Sequence, residues 1–280
     1  MSELPKLNLG CGRRFHPDWD NLDFVPRIEG VIVHDLTTPL PYSTYGVECC
    51  HTAHVLGHFR DDVVETFLKE QFRVLRPGGI ARFAVPDLQQ VVQQYRELIG
   101  PLCEGDYERA ADYEWNLIEL HDQIGRSEYG GKLAKFLAQD PVPNPDYVIS
   151  RIGEEGRDLI EGRVDESIIQ TRPQLDHLGH YFQKARLKLT RGVVRILAGK
   201  EAALAFREGC FRRFSGEVQW RIYDQYSLTR DLLAIGFVDI RKVHHDESRI
   251  PNFKSYCFDS DEQGIERKPE SLYLEATKPE

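Results

Sequence analysis

Residues 7–24 read LNLGCGRRFHPDWDNLDF, and this stretch decides the fold class. An apolar run ends at the tripeptide Gly10–Gly12 (GCG), and Asp23 closes a second apolar run 11 residues later. The pattern predicts a strand, a glycine turn and a second strand with a carboxylate at its tip, as in nucleotide-binding α/β units. Phe15 stands where such units carry a third glycine, and little room remains for a crossover helix. The turn therefore favours a nucleoside ligand over a dinucleotide, whose pyrophosphate needs donors at a helix N-terminus.

Composition and charge narrow the class of protein. The chain has 280 residues, 41% of them hydrophobic, enough for one large domain that carries an insertion. Its net charge of -9 argues against broad nucleic-acid or anionic-membrane binding, although a local basic patch is compatible with it. No apolar run approaches the roughly 20 residues of a membrane span. The N-terminus leads directly into the first strand, and the six cysteines form no C-x-x-C pair, which together predict a cytoplasmic protein with reduced thiols.

Strand-like and helix-like segments alternate at both ends of the chain. A helix is predicted over 61–75, and a second one, capped by Ser227 and ended by Gly236, near the C-terminus. We therefore expect an α/β fold, a doubly wound and mostly parallel seven-stranded sheet, formed by residues 1–88 and 222–280. Residues 89–221 are predicted to be a mainly helical insertion after strand five, placed as a lid over the substrate. The predicted strands are KLNLG, WDNLDF, GVIVHDL, VECCHTAHVL, IARFAVPDL, VDIRKV and SLYLEATK.

Two carboxylates lie at predicted strand ends. Asp23 could accept hydrogen bonds from two ribose hydroxyls, and Asp35 could accept one from an adenine amino group. The alternative is that both are ordinary turn residues after strands, because a lone G-x-G often marks only a tight turn.

Several further motifs follow in a fixed order. They are LNLGCG, HPDWDNLDF, VIVHDLTTPLP, AHVLGHF, VLRPGG, AVPDL, SGEVQWRIYDQYSL and a final SLYLEATK. In this order the chain resembles the class I S-adenosylmethionine-dependent methyltransferases, above all a small bacterial group associated with sugar, polysaccharide or secondary-metabolite biosynthesis. The resemblance covers the sheet on both sides of the insertion and the end of the insertion. It is weak over about 100–205.

The resemblance implies S-adenosylmethionine as cofactor and S-adenosylhomocysteine as product. Gly10–Gly12 would lie along the methionine part of the cofactor, Asp23 would hold the ribose, and Phe24 would flank the adenine. Asp35–Leu36 would read the adenine edge, and Thr52–His54 would face the methionine amino group or the reacting methyl. The full set of implied cofactor residues is Asn8, Gly10, Cys11, Gly12, Asp23, Phe24, Asp35, Leu36, Thr52 and His54.

The chain departs from the family pattern at two positions. The glutamate of the family's H-V-L-E-H is Gly57 here, and the histidine of its G-E-x-H is Gln219. If either residue serves catalysis in relatives, this protein has lost or reassigned it. Two alternatives to methyl transfer therefore stay open: a non-methylating reaction that uses the same cofactor, and a non-catalytic cofactor-binding scaffold in a biosynthetic complex. A dehydrogenase is disfavoured by the missing third glycine.

Candidate catalytic residues lie after strand four and at the end of the insertion. His54 or His58 could act as a general base near neutral pH, or could pack beneath the following helix. Arg213, Glu217 and Tyr223 are candidate acceptor-site residues, with a solvated basic turn as the alternative for the arginine. His51, His54 and His58 lack the flanking pattern of a metal site, so no metal is predicted.

The stretch 181–197 alternates apolar and basic residues at helical spacing. Its apolar members are Phe182, Leu189, Val193 and Ile196, and its basic members are Lys184, Arg186, Lys188, Arg191 and Arg195. Such a helix could lie on a membrane surface or touch a lipid-linked substrate. It could equally be a lid or dimer helix with a solvated basic face, which leaves a homodimer through the insertion open. We predict a small polar acceptor, most simply a sugar hydroxyl, and neither nucleic-acid binding nor stable membrane insertion.

Overall fold

One seven-stranded sheet organises the computed structural model, which describes residues 4–26, 28–162 and 177–280. Its strand order is β3-β2-β1-β4-β5-β7-β6, and only β7 runs antiparallel to its neighbours. The predicted fold class is thereby confirmed. The strands are β1 (Lys6–Leu9), β2 (Asp20–Asp23), β3 (Ile32–Val33), β4 (Val47–Ala53), β5 (Leu75–Pro86), β6 (Val238–Lys242) and β7 (Ser271–Thr277).

Reversal of β7 determines which residues share an edge of the sheet. The carboxyl ends of the six parallel strands meet at one edge, and the first residue of β7, Ser271, lies opposite Pro86 at the end of β5. That edge is where open α/β sheets bind ligands. Residues just before β7 therefore join the candidate site.

Seven α-helices are described, five of them between β5 and the last helix. They are α1 (Asp61–Val74), α2 (Leu88–Cys103), α3 (Ala110–Gly125), α4 (Gly131–Leu137), α5 (Pro145–Ile160), α6 (His177–Phe214) and α7 (Gln225–Ile235). Two short 3-10 helices cover Leu56–His58 and Phe253–Tyr256. None of the described helices is both long and apolar enough to cross a bilayer. The side chains of Phe182 and Lys184 lie outside the described part of the chain.

Helices α1 and α7 cover one face of the sheet. Val64, Phe67 and Leu68 recur at helical spacing on α1 and are buried, and Leu228 and Leu232 do the same on α7. They join one cluster with buried strand residues. The main core therefore forms where the apolar side of each helix packs on the apolar side chains of the strands.

The cap of α7 differs from the prediction. Asp224, not Ser227, is the N-cap, and its carboxylate accepts the Ser227 N–H at 2.7 Å. The Ser227 hydroxyl accepts the Asp224 N–H at 3.0 Å, so Ser227 is the second member of a capping box. Gly236 ends the helix with φ 110°, as predicted.

The opposite face is covered by the connection between β6 and β7. Phe253, Tyr256 and Phe258 from this connection pack with Trp19 over the sheet. Arg82 lies beneath them with none of its side chain exposed. This face thus depends on a long loop with a 3-10 helix, where sequence patterns of helix or strand give little information.

The connection from β1 to β2 contains no helix. Two buried asparagines satisfy its backbone instead: Asn8 Nδ2 donates to the Arg14 carbonyl at 2.6 Å, and Asn21 Nδ2 donates to the carbonyls of His16 at 2.8 Å and Trp19 at 2.6 Å. Buried main-chain oxygens need such partners when no helix provides them. The short connection between β1 and β2 is therefore a loop held in place by these side-chain hydrogen bonds.

Candidate functional site

The glycine turn after β1 is bonded to the neighbouring strand. The N–H groups of Gly10 and Cys11 both donate to the Leu22 carbonyl, at 2.8 and 3.1 Å. Gly10 has φ 74° and Gly12 has φ 54°, a conformation that favours glycine. A Cβ at Gly10 would lie 2.2 Å from Val55 Cγ2, whereas a Cβ at Gly12 would meet no atom within 4 Å. Gly10 thus serves packing, and Gly12 presents bare backbone to open space.

Asp23 closes the turn from the tip of β2. Its Oδ2 accepts the Gly12 N–H at 2.9 Å, and its Oδ1 accepts the Val25 N–H at 2.9 Å. A carboxylate offers about four lone-pair positions, so two acceptor positions remain for ligand hydroxyls. The predicted ribose residue is therefore held in place by the turn it would serve.

The residues predicted at the adenine lie around this turn. Leu36 is buried, and its Cδ1 lies 3.7 Å from the Cβ position of Gly10. Phe24 is 44% exposed, and its ring lies 3.6 Å from the Cβ position of Gly216 in the loop that ends the insertion. Asp35 is exposed, with its Oδ1 accepting the N–H and hydroxyl of Thr37 at 2.9 and 2.7 Å. Leu36 thus packs against the glycine turn, and the roles of Phe24 and Asp35 at the adenine stay predictions.

Three other predicted cofactor residues point their side chains into the protein. The Asn8 amide bonds Arg14, Asn21 and His51 beneath the turn. The Thr52 hydroxyl bonds Gln71 Oε1 on α1 at 3.3 Å, and Cys11 is buried. Their contribution to cofactor binding stays a prediction, and for Asn8 and Thr52 the side chains have packing partners that account for them.

Two histidines follow β4, His54 directly and His58 in the first 3-10 helix, and His54 lies at the start of β7. His54 has φ 55°, and its Nε2 lies 2.8 Å from the Ser271 hydroxyl. Burial, reinforced by Lys268 and His58, lowers the pKa of His54 well below its usual range. His54 is consequently neutral at physiological pH.

His58 has a defined tautomer. Its Nδ1 lies 3.3 Å from the Val218 carbonyl, which can only accept a hydrogen bond, so Nδ1 carries the proton. Burial lowers the pKa of His58 to about 4, against the raising effect of that hydrogen bond. The ring is therefore neutral at pH 7, and its Nε2 keeps a lone pair that could accept a proton.

The two departures from the family pattern touch each other. A Cβ at Gly57 would lie 3.1 Å from the Arg221 carbonyl and 3.5 Å from the side chain of Gln219. The Trp220 N–H donates to the Gly57 carbonyl at 2.7 Å, which fixes the loop against the 3-10 helix. Gln219 thus occupies space that a larger residue at position 57 would need. The two replacements are spatially coupled, although 162 residues separate them.

The predicted acceptor residues are placed differently from one another. Glu217 Oε2 accepts a hydrogen bond from Arg126 Nη1 at 2.7 Å, within the insertion. Tyr223 is buried in the main core, with Arg221 Nη1 3.3 Å from its hydroxyl. Arg213 is exposed at the end of α6. These three do not form one cluster, and their catalytic roles stay predictions.

Sequence reasoning missed a charged seam between the insertion and the β7 start, formed by Glu154 and Glu155 of α5 with Arg14, Arg267, Lys268 and Glu270. Lys268 bonds Glu155 at 2.7 Å, and Glu154 bonds Arg14 at 2.8 Å and also Arg267. Gly153, at φ 58°, lets α5 come this close, because a Cβ there would lie 2.3 Å from the Arg267 carbonyl. The residues just before β7 reach the edge formed by the carboxyl ends of the parallel strands because β7 is antiparallel. The antiparallel last strand of the resembled family is the signal that could have indicated this.

Glu270 is the unusual member of the seam. It precedes Ser271, its carbonyl accepts the Asp87 N–H at 2.9 Å, and its Oε2 is buried with no hydrogen-bond partner among the described residues. Burial raises the pKa of Glu270 to about 7, opposed by Lys268 and reinforced by Glu155 and Glu119. A carboxyl group with that pKa can exchange a proton near neutral pH, a common property of catalytic groups.

The variant Glu270→Gln is expected to be more stable than the wild type at pH 8 by about 3 kcal/mol, and nearly equal to it near pH 4.5. The unfolded glutamate ionises near its ordinary pKa of 4.5 while the folded one holds its proton up to about 7. The free energy of unfolding of the wild type therefore falls as the pH rises from 4.5 to about 7. The glutamine side chain cannot ionise, so the variant does not show this fall. Urea unfolding at pH 4.5, 6 and 8 measures it. The exposed Glu262→Gln is the control, and an equal difference at every pH would refute the raised pKa.

A second group of metal-type side chains lies on the β6–β7 connection. Potential ligand atoms of His244, His245 and Asp246 lie within 4.8 Å of one another. A 2.6 Å hydrogen bond from His244 Nδ1 to Asp246 explains their closeness, and Lys254 Nζ lies 3.8 Å from the same carboxylate. The Lys254 ammonium near these side chains disfavours binding of a metal cation. The three residues therefore form a hydrogen-bonded loop.

Two open clefts of about 700 and 680 Å³ lie away from the glycine turn. One is in the β6–β7 connection around Phe253, and the other lies between the first turns of α2 and α7. No predicted cofactor residue lines either cleft. The candidate cofactor site therefore does not coincide with either cleft, and the glycine turn and the Asp23 carboxylate define it.

Comparisons with known proteins give similarity at the level of structure alone. No protein-family model matches the sequence, and no curated protein matches it. Among solved structures, a Thermotoga maritima S-adenosylmethionine-dependent methyltransferase, described as a possible histamine N-methyltransferase, is 11% identical with a TM-score of 0.36. The alignment covers 99% of this chain and 83% of that one.

Two further solved structures are similar to the same degree. A putative methyltransferase of Haloferax volcanii, in complex with the Trm112 methyltransferase activator, is 11% identical over 99% of this chain and 83% of its own, with a TM-score of 0.39. PKMT2 from Rickettsia typhi, in complex with AdoHcy, is 11% identical over 98% of this chain and 48% of its own, with a TM-score of 0.34. Similarity at these values gives no information on the function of this chain beyond its fold.

Proposed function

We propose that this protein is an S-adenosylmethionine-dependent methyltransferase of class I. One observation carries the proposal: the bare backbone of Gly12, open on its Cβ side, is hydrogen-bonded to a strand-end carboxylate, Asp23, at 2.9 Å. This arrangement stands at the carboxyl edge of the sheet, where such folds bind ligands. It provides close backbone approach and hydroxyl recognition without a phosphate-binding helix.

The residues present fit a nucleoside cofactor of this kind. Asp23 keeps lone pairs for ribose hydroxyls, Phe24 offers an exposed ring to a base, and Gly12 leaves room that a side chain would fill. Asp35 would accept from an exocyclic amine, with Leu36 packing beneath. When bound there, S-adenosylmethionine supplies an electrophilic methyl group on a positively charged sulfur.

The acceptor we propose is a hydroxyl on a small polar molecule, in the simplest case a sugar. Transfer to a hydroxyl requires alignment of the acceptor and removal of its proton. Glu270, with a pKa of about 7, is the better matched group to take that proton, and His58, neutral with a pKa of about 4, is the weaker base of the two. Gln219 cannot take the proton, because an amide has no basic site near neutral pH. The region 89–221 would act as the lid that holds the acceptor over this edge.

Binding of the cofactor and its product is the primary test. Isothermal titration calorimetry should detect both S-adenosylmethionine and S-adenosylhomocysteine, and the variant Asp23→Asn should weaken both by more than about tenfold. The amide keeps the size of the carboxylate and one acceptor oxygen, but loses the charge that strengthens hydrogen bonds to ribose hydroxyls by about 1.5–3 kcal/mol.

A matched control separates this effect from general loss of charge. Asp18, exposed in the loop before β2, becomes Asn in the control and should leave affinity unchanged. Circular dichroism of Asp23→Asn checks that the fold persists, since the carboxylate also bonds two backbone N–H groups. Failure of folded wild type to bind either compound would end the proposal. Wild-type affinity in Asp23→Asn would end only the ribose assignment.

A second candidate function is cofactor binding without methyl transfer. The observation that favours it is the pair of replacements at Gly57 and Gln219, which contact each other. The polar side chains that the resembled family carries at these positions are replaced by a hydrogen and a neutral amide. Incubation with methyl-labelled cofactor and a pool of small sugars and sugar phosphates distinguishes the two. Label in an acceptor supports the methyltransferase, whereas binding without transfer supports a non-methylating enzyme or a scaffold.

A further inference from the structure

The first half of α6 is a local basic region in an acidic protein. Residues 185–200 contain five lysines and arginines and no aspartate or glutamate, while the whole chain has a net charge of -9. All five cations are exposed. They are Arg186, Lys188, Arg191 and Arg195 before the break in the helix at Gly199, where φ is 89°, and Lys200 just after it.

The same segment exposes an aliphatic stripe. Leu189, Val193, Ile196 and Leu197 are 71%, 45%, 83% and 80% exposed. Their spacing of four, seven and eight residues places them on one side of the helix. Contiguous exposed apolar side chains of this size are uncommon on monomeric proteins unless they contact a partner.

Most of the cations lie on the other side of this segment. At 100° per residue, Lys188, Arg191 and Arg195 lie more than about 120° from the centre of the stripe, and all three are exposed. The segment thus has a basic side and an apolar side, and no described residue covers the apolar stripe.

We propose that residues 185–200 bind the surface of an anionic lipid bilayer, with the four aliphatic side chains at the boundary of headgroups and acyl chains and the cations at the lipid phosphates. A helix with basic and aliphatic surfaces but too little apolar length to span is suited to the plane of the interface. Each cation near an anionic membrane surface contributes favourably, and the effect is screened by salt.

Charge also decides between this occupant and a second copy of the chain. Stacking two such segments face to face would bring ten cations together with no carboxylate between them, which is unfavourable at ordinary salt. Anionic headgroups compensate the same charge. The acidic remainder of the chain would be repelled by that surface, so contact through α6 would orient the protein on it.

Vesicle co-sedimentation of the full chain tests the proposal. Vesicles of phosphatidylcholine and phosphatidylglycerol at 3:1 should retain the protein in 0.1 M salt, with at least tenfold less binding to pure phosphatidylcholine and in 0.5 M salt. The double variant Ile196→Glu/Leu197→Glu should lower binding to the anionic vesicles by more than tenfold. Both positions are largely exposed, so the variant is expected to fold, which circular dichroism verifies.

The matched control is Leu233→Glu, which changes an exposed leucine, 57% accessible, on α7. It should bind vesicles as the wild type does. No binding of the wild type to anionic vesicles overturns the proposal, as does equal binding to neutral ones or undiminished binding of the double variant. Sedimentation equilibrium adds one more overturning result: a dimer that the double variant dissociates, without vesicle binding, would assign the stripe to self-association.

Discussion

Replacing Arg82 by alanine is expected to lower the free energy of unfolding by about 3–5 kcal/mol, the cost of removing one partner from a buried charge network. Its side chain has no exposed area and makes five hydrogen bonds, one for each guanidinium N–H. Two go to the carboxylates of Asp259 at 2.7 Å and Glu275 at 3.0 Å. The other three go to carbonyls of the β6–β7 connection.

Two buried carboxylates would lose the Arg82 guanidinium in this variant: Glu275 would keep Arg249, whose Nε lies 3.2 Å from it, whereas Asp259 would keep no arginine among the described residues. Burial by itself would raise the pKa of Asp259, but His51 and Arg82 lower it to about 2. The guanidinium also lies 4.4 Å from the Phe253 ring centroid, so the aromatic cover of this face would be disturbed as well. The loss therefore combines unpaired charge with loosening of the loop that covers the sheet.

Chemical denaturation of the two proteins at pH 7 measures the effect. Arg76→Ala, an exposed arginine on the same strand, is the matched control and should change stability by less than about 0.5 kcal/mol. A loss below about 1 kcal/mol for Arg82→Ala would mean that the network does not hold the β6–β7 connection. Replacing all three charged residues by apolar ones should recover part of the loss, because neither carboxylate then stays buried without the guanidinium.

The second large effect is expected for Gly10→Ala, at about 2–5 kcal/mol of destabilisation. The left-handed backbone at φ 74° costs an alanine roughly 1–2 kcal/mol. The new methyl group would also lie 2.2 Å from Val55 Cγ2, and relieving that overlap costs a further 1–3 kcal/mol. Val55 is β-branched and stiff, so it cannot simply rotate away.

Gly12→Ala supplies the matched comparison within the same turn. Its methyl group meets nothing within 4 Å, so only the cost of its backbone conformation remains, about 1–2 kcal/mol. Under the proposed function the same methyl group should block the cofactor and lower its affinity more than tenfold. The pair thus separates packing from binding: Gly10→Ala should lose mainly stability, and Gly12→Ala mainly affinity.

A double variant tests the stated cause. Val55→Ala removes Cγ2 and leaves only Cβ, 3.6 Å from the added methyl group, which is ordinary contact. Gly10→Ala/Val55→Ala should therefore be more stable than the sum of the two single changes predicts, by at least 1 kcal/mol. Thermal or urea unfolding of the four proteins measures this, and strict additivity would show that the clash does not cause the loss.

Strand ends were the most predictable part of the site. The glycine turn and the carboxylates Asp23 and Asp35 were recognised because local chemistry, a backbone reversal after a strand, requires those residue types. The direction in which each strand side chain points was harder to predict. Side chains alternate along β1 and β4, and the sequence did not reveal that Asn8 would point to a loop carbonyl and Thr52 to α1.

Contacts between distant segments could not be predicted. Gly57 and Gln219 are separate departures from the family pattern in the sequence, and their contact depends on how the end of the insertion packs on the 3-10 helix. Glu270 gave no local indication, because its burial arises from α5 and the reversed β7 strand. The cap of α7 was predicted at Ser227 and is Asp224, since two polar residues three positions apart both satisfy the local preference.

The sequence by itself determined the fold class, the glycine turn and the carboxylates at the strand tips, because each follows from interactions within a few residues and from apolar periodicity. The tertiary structure alone decided which groups share the edge of the sheet and what state they are in. It made Glu270 a buried acid with a pKa of about 7, kept His58 neutral and left the stripe of α6 exposed. Burial and electrostatic neighbours are properties of segments brought together from across the chain, and no local stretch of sequence contains them.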